Sequence, residues 1–376
     1  MLKGVHLTLM IGPGVPLPVG SDVLDALTSV RVTNSDPGPS VFQLHFSLST
    51  RSPLQTLFLL AGGANIPLVR VVLIATVNGT PNVLIDGVMT NHEISPGSDA
   101  AHATLSVTGE DLTRVMDYID FSGIPYPAMP PEARVAIILA KYAVLGVIPM
   151  VIPSVLIDVP IPVQQIPRQQ GTDLAYVRLL ADEVGYVFYM EPGPAPGTSV
   201  AYWGPQIKIG IPQPALNSPN MDAWANSTTG SFSFNADGKK LPILYIQVAP
   251  GNVTIPIPIP DITPLNPPLG LIPPLPKGTE PVEGTAKYGP VRAALIGMAK
   301  AARSSDAVSA TGSLDVSRYG RLLKARGLVG VRGVGTAFDG LYYVKSVTHD
   351  IKRGEYKQSF SLSRNGLVST LPQVPV

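Results

Sequence analysis

The feature that most limits how this chain can fold is an internal repeat. Residues 92–109, HEISPGSDAAHATLSVTG, align without a gap to residues 349–366, HDIKRGEYKQSFSLSRNG. The matched positions include the histidines His92 and His349 and the glycines Gly97 and Gly354. Average composition gives about one identity in such a window, so the agreement exceeds coincidence. Two copies indicate a duplicated domain and not a solenoid of many repeats.

Each copy has the pattern of a β-hairpin whose turn is held by its glycine. The second strand of each copy alternates, which predicts one apolar, buried face and one face open to water. Burial of Leu105, Phe360 and Leu362 would stabilise the fold by ~1.5–3 kcal/mol each. The residues of the water-exposed faces are His102, Thr104, Ser106 and Thr108 in the first copy and Lys357, Ser359, Ser361 and Ser363 in the second.

The matched positions of His92 and His349 favour a structural role, such as hydrogen bonding near the hairpin. Gly97 and Gly354 are expected to serve the two turns in the same way. A metal-binding or catalytic role for the two histidines is the less favoured alternative.

The composition indicates a chain that is covered by other subunits. Only 14% of the 376 residues are charged, against about a quarter in typical proteins. A surface so poor in charge fits one that is buried by partners, although a sticky monomer would look similar. The net charge of +1 gives no reason to expect a nucleic acid partner.

The sequence predicts neither a signal peptide nor a membrane span. Its first twenty residues, MLKGVHLTLMIGPGVPLPVG, are interrupted by Gly and Pro and lack a continuous apolar core. The most apolar stretch, residues 133–157, contains Arg134, Lys141, Pro149 and Pro153, whereas a spanning helix needs ~20 apolar residues. We therefore expect synthesis in the cytoplasm without a signal peptide.

The order of predicted elements indicates a mainly β protein with an α+β insertion. Residues 1–118 read as strands joined by turns. Residues 119–225 indicate a middle α+β domain, with one helix from Pro131 to about Leu145 and another that begins at Thr172 and Asp173. The remaining segments are strands at 226–249 and 306–367, an insertion at 250–305 and a short tail at 368–376.

The insertion begins as a proline-rich arm. Repeated proline, as in Ile255–Pro260, forbids helices and central strands and favours extended polyproline geometry. The interleaved apolar residues have surface to bury, so a docked arm is favoured over disorder. A proline-rich ligand for a small recognition domain is the less favoured alternative, because no basic residue flanks the prolines of Ile255–Pro260 as an anchor. A helix from Tyr288 to Ala302 is predicted after the arm.

Charge is divided unequally between the two ends of the chain. Residues 1–120 contain five Lys and Arg against ten Asp and Glu, and residues 284–366 contain fourteen against five. Two interpretations are equally favoured. Either these are solvated surfaces of opposite sign, or two similar barrels alternate around a ring with acidic edges against basic edges.

The sequence lacks the motifs that would predict catalysis or cofactor binding. No P-loop is present, because Lys240 follows Gly238 and Lys239, and there is no dinucleotide fingerprint or Gly-x-Ser-x-Gly elbow. The histidines are not spaced as metal ligands, and the absence of cysteine excludes disulfides and thiolate sites. We therefore predict no catalytic, cofactor-binding or metal-binding residues and no enzymatic activity.

Several motifs together resemble one family. The closing segment carries YGRLL at Tyr319–Leu323, GLYYV at Gly340–Val344 and YKQSF at Tyr356–Phe360. The middle segment carries DLAYV at Asp173–Val177 and GYVFY at Gly185–Tyr189. In order and spacing these resemble tail hub proteins of contractile phages and phage-like injection systems. The types are the late control D proteins and the hub half of valine–glycine-repeat spike proteins.

The resemblance implies a homotrimeric hub in a baseplate. Each subunit would carry two tube-type β-barrels, residues 1–118 and residues 226–249 with 306–367, so that three subunits present six barrels to a hexameric tail tube. Implied partners are the inner tube protein, baseplate wedge proteins and a spike. Fused family members continue into a needle beyond the point where this sequence ends, so a separate spike is expected. The resemblance also favours the central channel as the place that the water-exposed faces of the hairpins line.

Two other functions stay open from the sequence. One is a cell-wall hydrolase carried on the same particle. The other is a different structural subunit, such as a tube or collar protein, for which a single barrel is expected.

Overall fold

The computed structural model describes residues 4–48, 68–96, 103–154, 166–237, 239–248, 253–259, 266–282, 293–294, 296–299, 301 and 306–371. As predicted, the fold is mainly β with a few helices. The strands are β1 (Val5–Pro13), β2 (Leu17–Pro18), β3 (Leu27–Ser35), β4 (Val41–Leu48), β5 (Val69–Val77), β6 (Thr80–Ser95), β7 (Ala103–Asp111), β8 (Val147–Val151), β9 (Val187–Pro192), β10 (Ser199–Gly204), β11 (Gln213–Asn217), β12 (Ser227–Phe234), β13 (Leu241–Val248), β14 (Val253–Pro258), β15 (Gly270–Ile272), β16 (Thr279–Pro281), β17 (Val308–Asp315), β18 (Leu328–Arg332), β19 (Gly340–Lys352), β20 (Glu355–Arg364) and β21 (Leu367–Ser369).

The helices are short. The α-helices are α1 (Ser21–Ala26), α2 (Pro131–Ala140), α3 (Asp173–Val184) and α4 (Val316–Tyr319), and the 3-10 helices are Leu112–Asp117, Lys141–Leu145 and Pro219–Trp224. Residues 293–294, 296–299 and 301 are also helical, within the range predicted for the helix after the arm. No helix in the described part of the chain is both long and apolar enough to cross a membrane.

One large sheet holds thirteen strands and consists of two halves with the same strand order. The first half runs β3-β4-β7-β6-β5-β1, and the second runs β12-β17-β20-β19-β18-β11. If the six strands of each half are numbered by their order along the chain, both halves have the spatial order second, third, sixth, fifth, fourth, first. The halves differ in one pairing, because β1 is antiparallel to β5 whereas β11 is parallel to β18. The repeated hairpins thus belong to a larger duplication.

The two halves join edge to edge. The last part of β19 pairs antiparallel with β3, from Ser346 opposite Ser35 to Lys352 opposite Ser29. Before that point, β19 pairs on the same side with β18 through Gly340–Tyr343. One long strand therefore serves both halves, and the backbone hydrogen bonds continue from one half into the other.

The core lies against one face of this sheet. Strand β4 alternates between buried and more exposed residues, and Phe42, Leu44 and Phe46 are buried. These side chains belong to one hydrophobic cluster with residues of the second half, such as Val344 and Leu362. Alternation with period two places every second side chain on the same face, so the apolar residues of both halves form one core.

Both predicted hairpins are present, but their registers differ. In the second hairpin, Gly354 has a φ of +80° in the turn between Lys352 and Glu355, which favours glycine. Gly97 lies outside the described residues. His92 lies opposite Val107. Val107 is aligned with Arg364 in the gapless repeat, so the repeat predicts that Arg364 lies opposite His349. The observed partner of His349 is Gln358, six residues earlier. The two histidines therefore do not occupy equivalent positions in their hairpins, because the two registers differ by six residues.

The middle domain packs α2 and α3 against the three-stranded sheet β8-β10-β9 around the buried Trp203. Helix α3 starts as predicted, because the Thr172 side chain accepts a hydrogen bond from the backbone N–H of Ala175. Gly185 ends it in the left-handed conformation. The predicted boundary at residue 225 needs correction, since β11 leaves this domain and pairs with β18 of the large sheet.

The proline-rich arm contains a strand. Strand β14 pairs with β13, which also pairs with β16, so β13 is the central strand of this small sheet. Proline is tolerated in β14 because an edge strand needs hydrogen bonds on one side only. The assignment of all residues 226–249 to the second barrel therefore needs correction at β13, which pairs with the arm, whereas β12 pairs with β17 of the large sheet.

Candidate functional site

The faces of β7 and β20 that were predicted to be open to water differ in exposure. Thr104 is exposed and Ser106 and Thr108 are half-buried, while Lys357 and Ser359 are exposed and Ser361 is half-buried. Their neighbours on the opposite face, Leu105, Val107, Tyr356 and Leu362, have no exposed surface. His102 lies outside the described residues.

Ser363 departs from the prediction. It is 2% exposed, because it lies against Asp306 at the end of β20. The open part of the face on this strand therefore ends at Ser361. That the other residues line a channel stays a prediction.

The polar face is continuous across both halves of the sheet. We call its Ser and Thr residues the hydroxyl band. The band includes Ser231, Ser233, Ser309, Thr311, Ser359, Ser361, Thr348, Thr33, Ser29, Ser47, Thr108, Ser106 and Thr104. The hydroxyl oxygens of Thr33 and Thr348 are 3.0 Å apart and so form a hydrogen bond across the junction of the halves. Short side chains of this kind give a smooth surface with few groups that could hold a passing molecule.

The polar face also carries a charged pair at the junction of the halves. Arg31 Nε donates to Asp350 Oδ1 at 2.9 Å, and the two residues lie directly opposite each other in β3 and β19. The charges of this pair are opposite to those of the segments that contain them, because Arg31 lies in the acidic residues 1–120 and Asp350 lies in the basic residues 284–366. The side chains are 59% and 31% exposed, so water and salt screen the pair and it contributes little to stability.

A buried polar network supports the junction beneath the sheet. The Asp36 carboxylate accepts hydrogen bonds from the Tyr343 hydroxyl at 2.7 Å and from Gln206 Nε2 at 2.8 Å. Arg326 lies 3.9 Å from the same carboxylate and donates to Glu191 at 3.2 Å. Burial and the adjacent Asp36 raise the pKa of Tyr343, so its hydroxyl keeps the proton that it donates. The network connects both halves to the middle domain.

His349 is buried and lies within hydrogen-bond distance of a tyrosine hydroxyl. It is 5% exposed, and its Nδ1 lies 2.8 Å from the Tyr356 hydroxyl near the turn of the second hairpin. Burial lowers its pKa to about 4, so the ring is neutral at pH 7. His92 is half-buried at a different position in its hairpin.

The described residues offer no constellation for metal binding. They contain no group of three or more His, Cys, Asp or Glu side chains that could hold an ion. A cleft of about 480 Å³ at the junction includes Asp306 with Lys208 at 3.1 Å and Lys345 at 3.0 Å. Burial raises the pKa of Asp306, but the two ammonium groups outweigh it and hold the pKa below its usual value. The carboxylate pairs with both ammonium groups, as in a structural ion-pair group.

Comparison with known proteins identifies the fold. No protein-family model matches the chain, and no curated protein matches it by sequence. Among solved structures it is similar to a tail protein from Neisseria meningitidis MC58, with a TM-score of 0.64 and 13% identity over 97% of this chain and 98% of that one. It is also similar to the 43 kDa tail protein of prophage MuSo2 from Shewanella oneidensis, with a TM-score of 0.60 and 16% identity over 96% and 98%.

A third similar structure comes from a Francisella PdpA–VgrG complex, with a TM-score of 0.59 and 9% identity over 100% of this chain and 60% of that one. These comparisons show a fold that the chain shares with two tail proteins and with a chain of a VgrG-containing complex. The chain therefore has the fold of a tail protein, as the sequence motifs predicted.

Proposed function

We propose that this chain is the structural hub of a contractile phage tail or a phage-like injection particle. Three copies form a ring that joins the inner tube to a spike. The observation that carries the proposal is the duplicated sheet, two halves with one strand order, in a fold shared with tail proteins over nearly their whole length.

Symmetry makes the duplication useful. A trimer can match a hexameric tube if each chain supplies two similar units. The halves of one chain meet through different edges, β3 of the first against β19 of the second. A heterologous contact of this kind can repeat around a closed ring, whereas an isologous contact ends after two units. This favours a hub over a tube or collar protein with a single barrel.

The proposed role is non-enzymatic and is carried out in the baseplate. The hydroxyl band lines the channel in this proposal, since small neutral side chains leave a wide passage. The tube protein and the baseplate wedge proteins contact the ring, and the spike closes its other end. Similarity to a chain from a complex that contains VgrG supports a place next to the spike.

Native mass spectrometry tests the proposal. The chain is measured alone and with the tube and spike proteins of the same particle. We expect a species of three times 39.6 kDa, at least when a partner is present. A dimer or hexamer of this chain as the dominant species would contradict the proposal.

A further inference from the structure

Each half of the sheet has the same two strand edges, but only one pair of them is joined among the residues that the structure describes. The first edge is β3 in one half and β12 in the other. The second edge is the last part of β6 in one half and of β19 in the other. Strand β3 pairs with β19. Strand β12 pairs with β17 alone among the described strands, and none of these pairs with β6 beyond Val88 on the β5 side.

Two bulges identify the corresponding residues of β6 and β19. Strand β6 has a bulge at Thr90, and β19 has one at Lys345. Each bulge follows shortly after the strand leaves its first neighbour, β5 or β18. Thr90 and Lys345 therefore correspond. Three residues further along, Glu93 corresponds to Thr348.

The paired strands carry this correspondence across the sheet to β3 and β12. In the first half, the residues that lie opposite one another on β6, β7, β4 and β3 are Met89, Gly109, Phe42 and Val32. In the second half, the residues on β19, β20, β17 and β12 are Val344, Leu362, Ala310 and Phe232. Val32 and Phe232 thus occupy the same place. The next residues along the two strands, Thr33 and Ser233, also correspond, and both lie in the hydroxyl band.

The edges that lack a partner are exposed where their counterparts are covered. His349 is 5% exposed next to β3, whereas its counterpart Ile94 is 41% exposed. Asn91, Glu93 and Ser95 beside it are exposed as well. An unpaired strand edge with an exposed aliphatic side chain is a template for another strand. The occupant that fits it must present a strand like β3, and β12 is that strand.

We infer that β12 of one copy of the chain adds antiparallel to residues 91–95 in β6 of the next copy. This contact between chains is equivalent to the contact of β3 with β19 within each chain. Its register places Ser233 opposite Glu93 and brings Phe232 beside Ile94, which covers the exposed isoleucine. The inference rests on the proposed function, because three such contacts close the ring of six halves.

Disulfide cross-linking tests the register directly, since the chain has no cysteine of its own. The double variant Ser233→Cys with Glu93→Cys is assembled and then oxidised with copper phenanthroline. We expect reducible dimers and trimers on a denaturing gel, because each cysteine faces its partner in a neighbouring copy.

Two matched double variants serve as controls. Thr33→Cys with Thr348→Cys places cysteines opposite each other across the junction within one chain, so it should close a bond that leaves the monomer mass unchanged. Ser233→Cys with Ser47→Cys moves the second cysteine to an exposed residue of β4, both edges of which are already paired. That variant should give no covalent oligomer.

Native mass spectrometry of the same samples separates two kinds of failure. If a trimer forms and the Thr33–Thr348 control closes, but Ser233 and Glu93 do not cross-link, the strand pairing is wrong and the hub proposal stands. If the chain stays monomeric alone and with the tube protein, both are wrong.

The variant Ile94→Lys tests the contact without cysteine. Ile94 is already exposed in the single chain, so the melting temperature of the monomer should change by no more than about 2 °C. A charge at the centre of the contact should raise the dissociation constant of the trimer at least ~10-fold. An unchanged dissociation constant would show that this edge does not carry the assembly.

Discussion

The hydroxyl of Tyr343 donates a 2.7 Å hydrogen bond to the carboxylate of Asp36, and this buried contact connects the second half of the sheet to the loop after β3. Removal of the Tyr343 hydroxyl would leave the buried Asp36 carboxylate with one fewer hydrogen-bond donor. Hydrogen bonds to charged groups contribute about 1.5–3 kcal/mol, so we expect Tyr343→Phe to lower the free energy of unfolding by about that amount. Urea unfolding followed by circular dichroism measures it.

Tyr342→Phe is the matched control, because the Tyr342 hydroxyl donates to the neutral backbone oxygen of Phe338 within the same half. We expect about 0.5–1.5 kcal/mol for that loss. A loss in Tyr343→Phe that is no larger than in Tyr342→Phe would contradict the role assigned to Asp36.

His349 should make stability depend on pH. Its pKa is about 4 in the folded chain and ~6.5 in an unfolded one, so the unfolded state binds more protons between these values. The stabilising contribution is complete above pH ~6.5 and is lost as the pH falls towards 4, on the order of 3 kcal/mol in total. His349→Gln should flatten the dependence of the urea midpoint on pH between 7 and 4.5.

The exposed His6 provides the comparison for that experiment. His6→Gln should leave the slope of stability against pH as it is in the parent chain. Equal slopes in the parent chain and in His349→Gln would mean that other groups govern the dependence.

Placement of the hydroxyl band in a channel predicts protection from a bulky reagent. In Ser106→Cys and Ser361→Cys, a large maleimide should react several-fold more slowly in the assembled particle than in the free subunit. The reason is that the tube and the spike close the two ends of the channel. Labelling at the same rate in both states would place these residues on the outside.

Assembly should weaken as salt is added if oppositely charged halves meet around the ring. Exposed charges are screened over ~8 Å at physiological ionic strength and over ~3 Å at 1 M. We expect the trimer to dissociate at higher concentration in 1 M salt than in dilute buffer, as measured by native mass spectrometry or sedimentation. A trimer equally stable in both would show that apolar contacts and backbone hydrogen bonds determine assembly.

Local patterns predicted the faces of strands and the starts of helices well. The alternation in β7 and β20 was sufficient to predict that Leu105 and Leu362 are buried, because period two leaves a strand one buried face. The capping residue Thr172 and the glycine Gly185 marked both ends of α3, since capping depends on adjacent residues.

Contacts between distant residues could not be predicted in this way. A gapless repeat does not record the length of a turn, and so it concealed the six-residue difference between the registers of the hairpins. The interaction of Asp36 with Tyr343 and Arg326 joins residues about 300 positions apart, with no local spacing to indicate it. Strand β13 has the pattern of any half-buried strand, and only its pairing with β14 and β16 assigns it to the arm.

The insertion that carries β13, β14 and β16 interrupts the second half of the sheet between β12 and β17, where the first half has only the short loop from Ser35 to Val41. In a closed ring of three chains, halves that carry the insertion would therefore alternate with halves that lack it. A neighbour that touches only the strands would meet the same surface six times per turn. A neighbour that needs the insertion would find it three times, so one ring would offer contacts that repeat six times and contacts that repeat three times.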